Sequence, residues 1–265
     1  MRYAVSMIVK KSATQCHGAE ARKLRILALH SFRTNSTIFE TQLKLSGLLK
    51  EVENVADVTF IDAPNQASGP IPEDVASNFP KMEYFEWWNA ERDSAGRWHY
   101  ENAQKSLDKI DQVCRQFGPF DGIMGFSQGA ATAALLAGMQ RQQSSKQQKE
   151  EMERKRVVTE LANEPSLKFV ICFAGIKVRD PALELYYKEL GSLPSLHVIG
   201  SKDPIKYLNN KLVECFERPV VLNHDRGHVV PRLTGARLDE FRNFLNSSRP
   251  IVREKDSGMP DRSSL

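Results

Sequence analysis

The chain has 265 residues, of which 41% are hydrophobic and 26% charged, and its formal net charge is +4. These fractions are typical of a globular protein, and the length suits one large domain with extended ends. Basic residues are interspersed with acidic ones, which argues against a dedicated nucleic-acid-binding surface. No apolar run in the sequence approaches the roughly 18 residues of a membrane-spanning helix. We therefore expect neither a nucleic-acid partner nor a transmembrane segment.

The cysteines and the first residues bear on the compartment. The four cysteines are far apart, with no CxxC pair: Cys16, Cys114, Cys172 and Cys215. This spacing favours reduced thiols in the cytoplasm over disulfides or zinc ligands.

Residues 1–22 are basic and contain one acid, Glu20, which is typical of a flexible leader or of a transit peptide. Targeting to an organelle is therefore the alternative to a cytoplasmic location, and nothing in the sequence indicates the oligomeric state.

Apolar strands alternate with helical stretches along the chain. The predicted strands cover residues 24–29, 58–61, 120–124, 168–173, 195–200 and 220–222. The predicted helices cover residues 38–52, 100–117, the alanine-rich stretch 130–137, and 233–245. Such alternation implies right-handed β-α-β crossovers. We therefore expect an α/β fold with a mostly parallel central sheet and helices on both faces.

Three further segments interrupt or flank this pattern. Residues 65–98 show no clear period but contain the aromatics Tyr84, Phe85, Trp87 and Trp88. Loops of this length are often functional, so these rings are expected either to cap a pocket or to pack on the core. The composition of residues 141–164 indicates a charged, solvated insertion, with a partner-binding segment as the alternative. The predicted domain spans 23–246, and 247–265 form a polar tail expected to be disordered.

The pentapeptide Gly125-Phe126-Ser127-Gln128-Gly129 lies between a predicted strand and the alanine-rich helix. A serine between two glycines at a strand-to-helix turn is typical of a nucleophile elbow. The sharp turn exposes the hydroxyl, and the glycines avoid collisions with neighbouring backbone. The first N–H groups of the helix would face any anion that forms beside the serine. The pattern predicts that Ser127 is a nucleophile, and a serine that merely caps a buried helix is the alternative.

A nucleophilic serine needs a histidine that accepts its proton and a carboxylate that orients the histidine. His228 follows the last predicted strand and precedes the closing helix, as the chain order serine, acid, histidine requires. His224 competes with it for this role. His197 lies inside a predicted strand, where a core imidazole is the better interpretation. We therefore expect His228 to be the base.

Asp203 lies three residues after the predicted strand 195–200 and is the preferred acid. Asp225 would have to fold back onto a histidine three residues later, and Asp180 belongs to an earlier loop. A plain turn aspartate is the alternative for Asp203. Together with the serine of the elbow and His228, it predicts a catalytic triad.

An oxyanion hole requires two backbone N–H donors. One is expected from Gln128, directly after the nucleophile, and the other from the loop that follows the first strand. We assign the second donor to the N–H of Phe32. His30, which begins this loop, is expected to anchor the loop rather than to transfer protons.

Several short motifs in chain order carry a resemblance to a known family. They are Leu29-His30-Ser31-Phe32-Arg33 with Asn35, Phe60-Ile61-Asp62-Ala63-Pro64, Trp87-Trp88, Gly125-Phe126-Ser127-Gln128-Gly129-Ala130, His197-Val198-Ile199-Gly200 with Asp203, and Gly227-His228-Val229-Val230-Pro231. From about Lys23 to Leu245, the chain resembles the FSH family of serine hydrolases, which includes fungal members and the human ovarian-tumour-associated hydrolase. It looks like a plant-type member.

This resemblance implies an α/β-hydrolase fold and hydrolysis of carboxylic esters without a metal or organic cofactor. It also implies Ser127 as nucleophile, Asp203 as acid and His228 as base. The family usually has a glycine after the loop histidine, where this chain has Ser31, and the added Cβ is expected to narrow or tilt the oxyanion loop.

The expected reaction is therefore acyl transfer from a small-molecule or acyl-chain ester, through an acyl-enzyme, to water. An acyl thioesterase is the closest alternative, because the same triad serves both chemistries. A hydrolase-fold protein that binds a ligand without turning it over is the other, and Ser31 is the feature in its favour.

Overall fold

The computed structural model describes residues 22–144 and 167–249. Apart from a few residues at their inner boundaries, the predicted leader 1–22, insertion 141–164 and tail 247–265 lie outside this part of the chain. We keep residues 23–246 as the proposed extent of the domain.

A parallel sheet of six strands forms the centre of the fold. In chain order, the strands of the described residues are β1 (Leu24–Leu29), β2 (Ala56–Ile61), β3 (Asn65–Gln66), β4 (Phe85–Glu86), β5 (Asn89–Arg92), β6 (Trp98–Glu101), β7 (Gly122–Phe126), β8 (Phe169–Phe173), β9 (Ser195–Gly200) and β10 (Val220–His224). The central sheet has the order β10-β9-β8-β7-β1-β2, and each neighbouring pair is parallel. The pairs β3–β4 and β5–β6 are separate and antiparallel.

Helices cover both faces of this sheet. They are α1 (Ser36–Ser46), α2 (Leu48–Glu53), α3 (Glu73–Asn78), α4 (Ala103–Phe117), α5 (Gln128–Ser144), α6 (Glu184–Tyr187), α7 (Lys206–Val213) and α8 (Ala236–Ser247). Among the described residues, no helix combines the length and the apolar character needed to cross a membrane.

Two hydrophobic cores, one on each face, hold these layers together. Side chains alternate between the faces of a strand, so Leu27 and Leu29 of β1 pack with α4 and α5, whereas Ile26 and Ala28 pack with α1, α2 and α8. Burial on both faces explains why the two central strands β7 and β8 form continuous apolar runs in the sequence. The predicted α/β fold with a parallel, doubly covered sheet is confirmed.

Some predicted elements differ from the structure. The stretch predicted as one helix, 38–52, is two helices that break at Gly47, whose φ of +80° ends α1. Leucine spacing alone does not reveal this break. The helix predicted over 100–117 begins at Ala103, because the preceding residues form β6. Residues 65–98 are not a plain loop, since they contain α3 and most of the two small sheets.

Candidate active site

Ser127 occupies the turn between the end of β7 and the start of α5. Its φ is +52°, a left-handed conformation that few residues with a side chain adopt. Two hydrogen bonds fix this turn: the Ser127 N–H donates to the Phe173 carbonyl at 2.8 Å, and the Ala131 N–H donates to the Ser127 carbonyl at 3.0 Å. Strain of this kind concentrates at functional sites because surrounding contacts must maintain it. The structure thus places Ser127 on a strained strand-to-helix turn.

The two glycines beside Ser127 allow backbone segments to approach closely. A Cβ on Gly125 would lie 2.3 Å from the carbonyl carbon of Gly129. A Cβ on Gly129 would lie 2.2 Å from the carbonyl oxygen of Leu29, at the end of β1. Backbone atoms at these distances cannot move aside as a flexible side chain would. The turn is therefore packed directly against the loop that follows β1.

His228 and Asp203 are joined by a short hydrogen bond. His228 Nδ1 lies 2.7 Å from Asp203 Oδ2, and the Asp203 side chain is fully buried. The other oxygen of the carboxylate accepts the Ile205 N–H at 2.9 Å. Because a carboxylate accepts, a neutral His228 ring carries its proton on Nδ1 and leaves Nε2 free as a base. The Phe126 ring packs beside the imidazole, with centroids 5.2 Å apart.

Gly200, the last residue of β9, brings the loops of these two side chains together. A Cβ on Gly200 would lie 2.4 Å from the Gly227 carbonyl oxygen and 2.5 Å from that of Arg226. The Lys202 N–H donates to the Arg226 carbonyl at 3.1 Å. This glycine was not among the predicted site residues, although its position at the end of an apolar strand was a signal in the sequence.

A cleft of about 660 Å³ opens over Ser127 and His228. Ser31 and Phe32 of the loop after β1 line the same cleft. Among the described residues, no hydrogen bond joins Ser127 to His228, and such contacts often tighten only when substrate binds. The cleft thus contains the predicted nucleophile, the predicted base and one predicted oxyanion donor.

Gln128, the other predicted donor, is the first residue of α5. The first N–H groups of a helix lack intrahelical acceptors, so its N–H is suited to an oxyanion. Its side chain makes two further hydrogen bonds, in which Oε1 accepts the Trp87 N–H and Nε2 donates to the Trp88 carbonyl, both at 2.8 Å. The residue therefore ties the elbow to the segment before β5.

Buried contacts fix the loop after β1, which is the predicted oxyanion loop. His30 Nε2 accepts the Ala63 N–H at 2.9 Å, so Nδ1 carries the proton and donates to the Ser31 carbonyl at 2.7 Å. Burial lowers the pKa of His30 to about 4, which keeps the ring neutral. The Trp87 indole N–H donates to the His30 carbonyl at 2.8 Å. His30 thus anchors the loop, as the sequence predicts.

The next residues of this loop are held by an ion pair. Arg33 Nε lies 2.9 Å from Glu86 Oε2 in a largely buried contact, and its guanidinium lies over the Phe32 ring at 4.4 Å. Arg33, with a φ of +51°, takes the left-handed conformation, and Ser31 does not. A Cβ at Ser31 therefore meets no backbone strain of that kind.

The residues that compete for the triad roles have other surroundings. His197 is buried in β9 and lies 3.1 Å from the Ser195 hydroxyl, and burial lowers its pKa to about 3. His224 is buried at the end of β10 and does not line the cleft that contains Ser127. The Asp180 carboxylate accepts the Ala182 N–H and caps a 3-10 turn.

One expectation for the aromatic segment is wrong. Tyr84, Phe85, Trp87 and Trp88 do not line the cleft, and the two tryptophans are buried against the core. The reason is that the indole N–H and the backbone of Trp87 are already hydrogen-bonded inside the protein. The alternative of core packing is therefore the one that the structure shows. A different part of the same segment, around α3, forms the wall of the cleft.

Comparison with known proteins adds the family. Residues 19–238 match the model of the FSH1 serine hydrolases. The chain belongs to this family. This confirms the resemblance predicted from the sequence, and it makes the chain an enzyme of the serine hydrolase class.

Related sequences extend this comparison, and a solved structure shares the fold. Esterase OVCA2 of Xenopus tropicalis is 31% identical, over 83% of this chain and 92% of that protein. Rhodanese-like domain-containing protein 6 of Arabidopsis thaliana is also 31% identical, over 84% of this chain and 39% of that protein. Acyl-protein thioesterase 2 of Zea mays superposes with a TM-score of 0.53 at 18% identity, over 88% of this chain and 96% of that one. This structural match shows the α/β-hydrolase fold alone.

Proposed function

We propose that this serine hydrolase cleaves carboxylic esters with Ser127 as nucleophile, His228 as base and Asp203 as acid. The observation that carries the proposal is the 2.7 Å contact between His228 Nδ1 and a fully buried Asp203 carboxylate, on a histidine that shares one cleft with Ser127. The carboxylate fixes the tautomer that leaves Nε2 free and stabilises the imidazolium that forms.

The first half of the reaction forms an acyl-enzyme. His228 Nε2 takes the proton of the Ser127 hydroxyl as its oxygen attacks the ester carbonyl carbon. The resulting oxyanion accepts hydrogen bonds from the N–H groups of Phe32 and Gln128. When the tetrahedral intermediate collapses, the bond to the leaving oxygen breaks and His228 Nε2 returns the proton to the departing alcohol.

The second half releases the acid. Water takes the position of the alcohol, His228 accepts its proton, and the hydroxide oxygen attacks the acyl carbon. Collapse of the second intermediate breaks the bond to Ser127, and His228 protonates the serine oxygen. The ester, water and the three side chains account for every proton and electron pair.

The apolar side chains in the cleft support an ester with an apolar acyl portion. Leu45 of α1 and Val75 of α3 line it together with Phe79, which follows α3. Polar side chains also line the cleft, but these three give it an apolar surface of the kind that contacts apolar ligands in small-molecule sites. The esterase names of the Xenopus, zebrafish and fly relatives support the same reaction class.

Replacing the nucleophile tests the proposal. Ser127→Ala is expected to lower kcat for para-nitrophenyl butanoate by about 10³-fold or more, because it removes the only attacking oxygen of the triad. The matched control is Ser94→Ala, at an exposed turn between β5 and β6. A fluorophosphonate probe should label the unmodified protein, and mass mapping should find the adduct on Ser127. Turnover by Ser127→Ala equal to that of the control would end the proposal.

The preference for oxygen or sulfur esters needs a separate measurement. Oxygen and thio esters of the same acyl chain differ only in the leaving atom, so the ratio of their kcat/KM values reports the preference directly. A ratio strongly in favour of the thioester would replace the esterase assignment with a thioesterase and leave the triad intact.

A further inference from the structure

A second cavity of about 490 Å³ adjoins the cleft that contains Ser127. Arg226 and Arg232 line both cavities, and Arg237 lines the second. Two of these arginines belong to the loop that carries His228. Positive charge is therefore concentrated between the predicted base and the second cavity.

These arginines have no ion-pair partner in residues 22–144 and 167–249. Arg22 and Arg242, by contrast, each lie 2.7 Å from a carboxylate oxygen. The acidic side chains that face the two cavities are Asp74 in the first and Asp225 in the second, and neither is within ion-pair distance of an arginine. The guanidinium groups are thus available to an anion.

The backbone that carries Arg226 is fixed, although its side chain is exposed. Its carbonyl accepts the Lys202 N–H, and Gly200 packs against it at a distance that no other residue would permit. A fixed backbone limits the region that the guanidinium can sample. It therefore reduces the ordering entropy that binding an anion requires.

A buried N–H donor beside the second cavity also lacks a partner. His224, which lines this cavity, is 4% exposed. Its Nδ1 accepts the Arg226 N–H at 3.3 Å, so a neutral ring carries its proton on Nε2, and Nε2 has no hydrogen-bond partner among the described residues. Burial is the largest cause that lowers the pKa of His224; the charge of Asp225 opposes it, and the charges of Arg226 and Arg237 add to it. An unsatisfied buried donor is unfavourable unless water or a ligand supplies an acceptor.

We infer that the natural ester carries an anionic group, a carboxylate or a phosphate, on its alcohol portion, and that Arg226 and Arg232 bind this group. The inference rests on the proposed function. His228 must reach the leaving oxygen in order to protonate it, so the alcohol portion lies on the side of its loop, where the arginines are. The apolar wall of Leu45, Val75 and Phe79 is left for the acyl portion.

Two chromogenic esters test the inference. One is para-nitrophenyl butanoate, and the other carries a carboxylate on the same ring beside the nitro group. The measured quantity is the ratio of their kcat/KM values, charged over neutral. The double variant Arg226→Gln with Arg232→Gln is expected to lower this ratio about tenfold. A tenfold change corresponds to the free energy of about one charge-assisted hydrogen bond. The matched control is Arg218→Gln. Arg218 is exposed and precedes β10, at the end of that strand away from the two cavities.

Ionic strength and a third ester, with its carboxylate on the acyl chain, provide two further tests of the inference. Higher ionic strength should lower the ratio for the unmodified protein more than for the double variant, because salt screens exposed charges. A ratio that is the same in the double variant, the control and the unmodified protein overturns the inference. If a butanoate-length acyl chain with a terminal carboxylate is the ester that responds to the arginines, the assignment to the alcohol side is wrong. Loss of turnover on the neutral ester in Ser127→Ala tests the proposed function independently.

Discussion

At the scale of single residues, Asp203 has two simultaneous contacts. One oxygen accepts the Ile205 N–H and the other faces His228 Nδ1, so the carboxylate cannot rotate without losing one of them. This arrangement fixes both the direction of the imidazole and the nitrogen that carries its proton.

Asp203→Asn is expected to lower kcat by about 10⁴-fold, because an amide NH₂ facing Nδ1 favours the wrong tautomer of His228. KM should change much less, since Asp203 does not line the cleft. Steady-state kinetics on para-nitrophenyl butanoate, with Asp180→Asn as control, measures the effect. Equal kcat values in the two variants would remove Asp203 from the mechanism.

Candidate site residues were predictable from the sequence where each one follows a strand. Ser127, Asp203 and His228 all occupy such positions. In a parallel sheet the carboxyl ends of all strands lie on the same side, so residues that follow different strands come close together. The role of Gly200 was not predictable in the same way, because it depends on which carbonyl of another loop approaches it. The same applies to the arginines, whose lack of partners among the described residues is a property of the folded surface.

At the scale of elements, glycine packing holds the elbow against β1. Gly129→Ala is expected to lower the free energy of unfolding by at least about 2 kcal/mol, because its Cβ would overlap backbone of the neighbouring loop. Gly227→Ala is the matched control: its Cβ would have its nearest neighbour at 3.6 Å, an ordinary contact. Urea unfolding of both variants measures the difference. Equal midpoints would show that the elbow can shift to admit a Cβ.

The bounds of β1 and β9 agree with the sequence prediction because both strands are largely buried on both faces and most of their residues are apolar. The small sheets of residues 65–101 were not predictable. A strand of two residues, such as β3, has no period of its own and exists through pairing with β4, about 20 residues further along the chain. Tertiary contact, not local preference, decides such elements.

At the scale of the whole molecule, the sheet separates two kinds of polar site. The candidate site lies at the carboxyl ends of the strands. At the amino ends of the strands, the buried Asp121 carboxylate accepts several hydrogen bonds. Arg22 donates at 2.7 and 2.8 Å, Lys168 at 2.8 Å and the Arg25 N–H at 3.0 Å. These contacts join the starts of β1, β7 and β8.

Asp121 should make stability depend on pH. Burial alone would raise its pKa, but the hydrogen bonds from Arg22 and Lys168 outweigh burial and lower it from 3.8 to about 2. A carboxylate whose pKa is lower in the folded state stabilises that state fully at a pH above its pKa in the unfolded chain. This stabilisation disappears as the pH falls through its pKa in the folded state. The difference in unfolding free energy between the unmodified protein and Asp121→Asn should therefore be full above about pH 4 and shrink towards pH 2.

Denaturant unfolding at several pH values measures this difference, with the exposed Asp57→Asn as control. Esterase kcat well below the melting temperature should stay within about twofold in Asp121→Asn, because distant sites act independently. A pH-independent difference, or one that grows as the pH falls, would contradict the role given to this carboxylate.

Under the proposed mechanism, the left-handed backbone of Ser127 lowers stability at the same position that supplies the reactive hydroxyl. Glycine is the residue that would relax a φ of +52°, and glycine has no hydroxyl. Every residue that could attack a carbonyl from this turn brings a Cβ and keeps the conformational penalty, of the order of 1 kcal/mol. Selection for a more stable protein at residue 127 would therefore select against the enzyme, and the rest of the fold must supply the compensating stability.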